Sequence, residues 1–431
     1  MSDLWVDRDG NRPRRRRLSG LSHRAERDGL TPTSFDALRP PSSDQFHFHP
    51  ARPADPFTPA GIRFGVDERI GRHAEVLVDH CTGVERGDEV LVKAPAAAEE
   101  LVVALYERIG ERGANATTWL RSPRAGRAKA RATGPDEFST SEHRLAAMRE
   151  TDVVILVQGA TNRAAQADVD PEKGGPARRA RKPVLDARLD TRWVITQHPT
   201  AGDAQAAERS LEGWRDTVYG AVDRDWDALH ERQRRIAERL GATDEVRVVA
   251  GDTDLTLDVS GMDASDDHAT HNLPGGEVFT VPRPGGVDGA AVFDVPVHRH
   301  GREVRNARLT FEAGEVADHD AETNPDVLTE LLATDDGASR VGELGFGTNR
   351  GITEPTGRTL FDEKMGDTVH VALGNALAEC VPESVEPNES AVHTDLITDV
   401  SEGRVEFDGE VVQEGGAWWF ESEADRRETS E

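Results

Sequence analysis

The chain has 431 residues, 80 acidic against 52 basic, and a formal net charge of -28. That length allows two domains with real cores, and that charge argues against nucleic-acid phosphates and anionic membranes as partners. Lys stands only at Lys93, Lys129, Lys173, Lys182 and Lys364. Such an acidic, Lys-poor surface fits a high-salt cytoplasm, where the Debye length falls to roughly 3 Å at 1 M.

Residues 1–65 read differently from the rest, with 11 Arg against 8 acidic residues, the run Arg14-Arg-Arg-Arg17 and many Pro and Ser. Without a sustained apolar period the stretch is expected to be disordered. It lacks the continuous apolar core of a signal peptide, and its His47/His49 pair has no companions for a metal site. Coherent patterning begins at Val66, the residue that an internal GTG start codon would specify, so residues 1–65 are expected to be a translated leader that the natural protein lacks.

From 66 to 240 helical and strand patterns alternate. Asp67 is placed to cap a helix with Ile70, Ala74, Leu77 and Val78 on its apolar face. Val90–Val92 reads as a buried strand, Ala97–Arg112 as an amphipathic helix ended by Gly113, and Ala116–Leu120, Val153–Val157 and Trp193–Ile195 as further strands. The helix Trp226–Leu240 closes the region. This alternation predicts an open, mostly parallel α/β sheet. No Gly-rich phosphate fingerprint follows any of these strands, and Gln158–Thr161 reads as an ordinary turn.

From 241 to 431 the texture becomes β-rich, predicting an α+β metal-binding domain. Strand alternation runs through 246–249, 254–258, 291–297, 303–311 and 404–411, with one helix at 325–333. Cys81 and Cys380 offer no disulfide framework or zinc-ligand spacing, which suits a reducing, cytoplasmic compartment. No apolar run approaches the ~20 residues of a membrane span.

Five potential metal ligands fall in this last part: Glu277, Glu343, His370, His393 and Asp395. Carboxylates and imidazoles without a thiolate suit one or two divalent ions that keep a position open for water. His393 and Asp395, two apart on a strand, face the same way, although a plain His–Asp hydrogen bond uses the same spacing. His298 and His300 read as surface strand residues, Ala317–Asp320 as a solvated acidic loop, and the Trp residues as core.

The sequences around the five residues are Asn272-Leu-Pro-Gly-Gly-Glu-Val-Phe-Thr280, Val341-Gly-Glu-Leu-Gly-Phe-Gly-Thr-Asn349, Asp367-Thr-Val-His-Val-Ala-Leu-Gly374 and Asn388-Glu-Ser-Ala-Val-His-Thr-Asp395. In this order they resemble the thermophilic aminopeptidase family, the aminopeptidase T and aminopeptidase S type of metallopeptidase. The segment Asp362–Asp367 is similar to the archaeal branch. The resemblance implies that Glu277, Glu343, His370, His393 and Asp395 bind two divalent ions, zinc or cobalt, with manganese or magnesium as other candidates. It also implies peptide substrates, an N-terminal α/β domain, a C-terminal catalytic domain and a homodimer. Glu363 is the nearest candidate for a further family Glu that acts as acid/base or outer ligand. The family's Tyr seven residues after the motif His is here Leu377. The main alternative is a mononuclear iron dioxygenase related to 2,5-dihydroxypyridine 5,6-dioxygenase, with His370, His393 and Asp395 as its facial triad. A weakly active metal-binding homologue is the other, suggested by Leu377.

Overall fold

In the computed structural model, residues 67–299 and 302–422 are described. The expectations for residues 1–65, with His47 and His49, and for His300 lie outside the described residues.

The first part is built as its pattern predicts. Helix α1 (Glu68–Glu75) starts at Asp67, whose side chain accepts from the Arg69 amide, and Leu77 and Val78 continue its buried face into one π-helical turn. Strand β1 (Glu89–Pro95) leads to α2 (Glu99–Arg112), which Gly113 ends with φ 73°. Then follow β2 (Asn115–Arg121), α3 (Pro123–Ala132), α4 (Glu142–Arg149), β3 (Val153–Gln158), α5 (Gly174–Leu189) and β4 (Arg192–Gln197). Helices α6 (Ala201–Ala206), α7 (Leu211–Val222) and α8 (Trp226–Leu240) complete it. Strands β1 to β4 pair in parallel in the order β2-β1-β3-β4. Their central members are apolar on both faces because helices cover the sheet.

Beyond 240 the chain turns to strands: β5 (Glu245–Ala250), β6 (Thr253–Asp258), β7 (Ser265–Asp267), β8 (Asn272–Leu273), β9 (Glu277–Thr280) and β10 (Val287–Phe293). The short β8 adds a fifth, parallel strand beside β4. A hairpin of β11 (Val297–Arg299) and β12 (Arg302–Val304) precedes β13 (Ala307–Glu312), β14 (Glu315–Asp320) and α9 (Pro325–Leu332). The last elements are β15 (Val341–Gly347), α10 (Thr359–Asp362), β16 (Thr368–Gly374), β17 (His393–Asp399), β18 (Arg404–Phe407), β19 (Glu410–Glu414) and β20 (Ala417–Trp418). They form an eight-stranded sheet, β14-β13-β10-β6-β5-β18-β19-β20, and a five-stranded antiparallel sheet, β17-β16-β15-β9-β7.

Three sequence expectations need correction. The alternation at 404–411 spans two strands joined at Asp408-Gly409, both at positive φ, that at 303–311 breaks at Asn306, also at positive φ, and that at 291–297 leaves β10 after Phe293 and meets β11 only at Val297. Alternating polarity continues through tight turns, so it cannot mark them. Ala317–Asp320 lies in β14, where His319 bonds the Thr329 hydroxyl at 2.8 Å, instead of in a loop. Four of the seven Trp, Trp193, Trp214, Trp226 and Trp418, are buried, whereas Trp419 is exposed. Among the described residues no helix is long and apolar enough to cross a membrane.

Candidate metal centre

All five sequence-predicted ligands stand on one face of the five-stranded sheet. Register dictates this: Glu277 pairs with Gly347, His370 with Gly345, Asp395 with Ala372 and His393 with Gly374. Residues directly opposite, and those two apart, share a face. Glu343, Gly345 and Gly347 are therefore on the same side of β15 as Glu277 on β9, His370 on β16 and the His393/Asp395 pair on β17. The alternate residues Val278, Leu344, Phe346, Val369, Val371 and Leu396 face the other way into the main hydrophobic core.

The glycines of the Gly-Glu-Leu-Gly-Phe-Gly motif are explained by the face they occupy. A Cβ on Gly345 would stand 2.1 Å from His370 Nε2, so only glycine leaves room for the imidazole across the strand pair. Gly276, at φ 123°, would collide with Asn349 at 2.5 Å if it had a Cβ. Asn349 in turn donates its amide to the Gly275 and Ala221 carbonyls, 3.0 Å each, which anchors the turn into β9.

Glu343 lies at the centre. Its Oε1 is 3.2 Å from His370 Nε2 and its Oε2 is 3.1 Å from His393 Nε2. Glu277 Oε2 stands 3.5 Å from His370 Nε2, and Asp395 Oδ1 3.5 Å from His393 Nε2. Two metal-competent triads result, Glu277/Glu343/His370 and Glu343/His393/Asp395, with Glu343 in both. The donor set fits divalent ions: carboxylate oxygens and Nε2 atoms converge, and His393 Nδ1 donates to the Asn375 carbonyl at 2.9 Å, leaving Nε2 to face the site. His370 is fully buried and His393 one-fifth exposed, so the approach from solvent is on the His393 side.

Electrostatically the face is overloaded with carboxylate. Burial works against charging His370, yet Glu343, Glu277 and Asp395 raise it to about 9. His393 is raised as well, against its own burial, by Asp395 and Glu343. Burial disfavours ionised Glu343, but its two imidazole partners hold it below the usual range. Glu363, at the end of α10, is pushed up, first by burial and then by Glu277 and Asp395, against the pull of Lys364.

Sequence reasoning missed four residues here. Lys364 is completely buried, 2.9 Å from Glu277 and 3.8 Å from Asp267, and touches Glu363. Asp267 lies beside Glu277 across the β7–β9 pairing. Gln233, on α8, donates to the carbonyls of Glu277 (3.0 Å) and Asp267 (3.2 Å) and to the Thr348 hydroxyl (3.1 Å). Glu379 sits on a single 3-10 turn, Ala378–Cys380; although its surface is open, desolvation and the charges of Glu343, Asp267 and Glu277 push it up to about 7. One signal was available: a chain that spends almost all of its positive charge on Arg retains Lys364 directly after Glu363 and six residues before His370.

The family described as thermophilic metalloprotease (M29) matches residues 66–418. The chain is 28% identical to aminopeptidase T of Thermus aquaticus over 79% of its own length and 94% of the relative's. It is 25% identical to aminopeptidase 2 of Geobacillus stearothermophilus, covering 82% of this chain and 98% of that one. The solved structure of wild-type AmpT from Thermus thermophilus matches with a TM-score of 0.71 at 26% identity, over 82% of this chain and 99% of that chain.

Proposed function

The chain belongs to the thermophilic metalloprotease (M29) family and is a metalloaminopeptidase, and from that premise we propose that it removes N-terminal residues from peptides at a two-metal site. Glu277, Glu343, His370, His393 and Asp395 hold the ions, zinc or cobalt, with manganese or magnesium as further candidates. The observation that carries this reading is the position of Glu343, whose two oxygens each face a different imidazole and so belong to two adjacent triads. A single facial triad of His370, His393 and Asp395 has less support, because Glu343 stands between the two imidazoles.

Divalent ions bound there supply Lewis acidity and a water of lowered pKa. The chain's own residues do the rest. Glu363, mostly covered and holding its proton more tightly than an ordinary carboxyl, exchanges a proton with the leaving amine. Lys364 offsets the charge of Glu277 and Asp267 and keeps both carboxylates aimed. Glu379, on the adjacent turn, offers a carboxyl to the substrate's α-ammonium, which limits cleavage to the first residue. Leu377, whose amide bonds the Gly342 carbonyl at 3.4 Å beside Glu343, contributes no hydroxyl to a developing oxyanion.

The test is metal analysis combined with hydrolysis of leucyl-p-nitroanilide at high salt with added zinc or cobalt. Turnover is expected, with two ions per chain that depend on Glu343 and its partners at the five-ligand face. Metal-loaded protein that cleaves no N-terminal amide would refute the reading, and one ferrous ion with oxygen consumption would favour the dioxygenase instead. We further infer a cytoplasmic homodimer that needs high salt and a domain border near 240, where α8 ends. Light scattering at high and low salt checks the assembly.

A further inference from the structure

One other group of metal-competent side chains assembles among the described residues. It joins His230 on α8 to Asp266 on β7 and His268 just beyond that strand. Asp266 Oδ2 lies 2.8 Å from His268 Nδ1 and 3.7 Å from His230 Nε2. The two imidazoles are stacked, with centroids 3.6 Å apart and planes 10° from parallel. Neighbouring residues on a strand point to opposite faces. Asp267 accordingly turns towards Lys364 and the five-ligand face, while Asp266 turns away from it, towards α8.

We propose that His230, Asp266 and His268 form a second metal site, for a borderline divalent ion such as zinc, nickel or cobalt, which clamps α8 to β7. Two imidazoles and one carboxylate select such ions over magnesium or calcium, which prefer all-oxygen shells. The spacing is right. Bonds of ~2.0–2.1 Å to a tetrahedral ion place its ligands about 3.3 Å apart, and the observed 2.8 and 3.7 Å bracket that value; because an ion binds imidazole in the ring plane, the exposed His230 ring must turn out of its stack on His268 to join it. The main chain that carries His268 is anchored: His80 Nε2 donates to the His268 carbonyl at 2.7 Å, and its ring stands edge-on to the His268 ring at 6.0 Å. His230 is 42% exposed, whereas Asp266 and His268 are mostly covered, so an ion can enter from solvent and keep a water.

The clamp also bears on the first site. Gln233 lies one turn beyond His230 on α8 and holds the carbonyls of Asp267 and Glu277, so fixing α8 on β7 steadies the strand that presents Glu277.

The test is zinc stoichiometry of the full chain after equilibrium dialysis, for the wild type, His230→Ala, His268→Ala and Glu343→Gln. The first two variants are expected to bind one zinc fewer than wild type, with unchanged circular dichroism, and to lose part of the rise in thermal midpoint caused by zinc. Glu343→Gln is expected to keep the ion lost by the histidine variants. Because His230 is exposed on a helix surface, its replacement leaves folding intact. Equal zinc content in the wild type and His230→Ala would overturn the proposal, whether or not the peptidase reading holds.

Discussion

His73, in α1 of the parallel-sheet region, and His370, in β16 of the antiparallel region, are equally hidden from solvent, at 1% and 0% exposure. Their surroundings drive them in opposite directions. His73 meets only the Thr196 hydroxyl at 2.7 Å, and burial, with its neighbour His198, lowers it to about 3. His198 is itself lowered to about 4, by burial and then by Arg215. His370 bears the same burial, yet three carboxylates raise it to about 9. What separates a core histidine from a metal-ligand candidate is therefore the company of carboxylates, and burial alone does not distinguish them. The parallel-sheet region holds His73 and His198 neutral and pairs its buried Asp203 with Arg358, whereas the antiparallel face gathers more negative charge than its own cations offset, leaving a demand that divalent ions meet.

Several experiments could break or sharpen this contrast. Glu343→Gln removes the carboxylate shared by both triads; a loss of roughly a thousandfold or more in kcat/KM, ~4 kcal/mol, is expected, whereas His73→Gln should leave kcat/KM per folded molecule unchanged. Equal losses in both variants would erase the distinction. Lys364→Met leaves Glu277 and Asp267 without their buried counter-charge. Denaturant titration of the metal-free protein should show a loss of about 3 kcal/mol, with part of it restored by zinc. Leu377→Tyr should raise kcat, towards the ~100-fold that a well-aimed oxyanion donor supplies, and steady-state kinetics on leucyl-p-nitroanilide would reveal it.

The pH dependence of stability has opposite signs in the two regions. His73 and His198 are lowered from an unfolded value near 6.5, so the folded form refuses protons that the unfolded form accepts. Their contribution is fully present above about pH 6.5 and disappears towards pH 4 and 3, at ~1.4 kcal/mol per unit for each histidine. His370 is raised, so its contribution in metal-free protein is present below about 6.5 and lost as the pH rises through about 9. Denaturation midpoints across pH should fall at both ends without metal. Added divalent ions should remove the alkaline fall and leave the acid one.

Much of the fold was legible beforehand because its signals are local. Buried runs such as Val153–Val157, the cap at Asp67 and the stop at Gly113 depend on a few neighbours in the chain. The helices α3 to α5 escaped notice because exposed faces and, in α5, an internal Pro183 weaken their periodicity, whereas α7, which buries Trp214, Val218 and Val222 at a spacing of four, carried a readable pattern. At the site, Glu277, Glu343, His370, His393 and Asp395 could be named from their motifs. Lys364, Asp267 and Gln233 could not, because each lies on a different element from the group it serves or is hidden in an otherwise unremarked segment.

By itself the sequence determined which side chains are available and which way they alternate: imidazoles and carboxylates without thiolates, and glycines at every second position after Glu343 on β15. Only the tertiary structure decided that Gly345 lies opposite His370, that Glu343 reaches two imidazoles, and that His230 of α8 meets Asp266 and His268. Alternation follows from the geometry of one strand, whereas register and helix docking are set by contacts between residues far apart in the chain, where packing makes the choice.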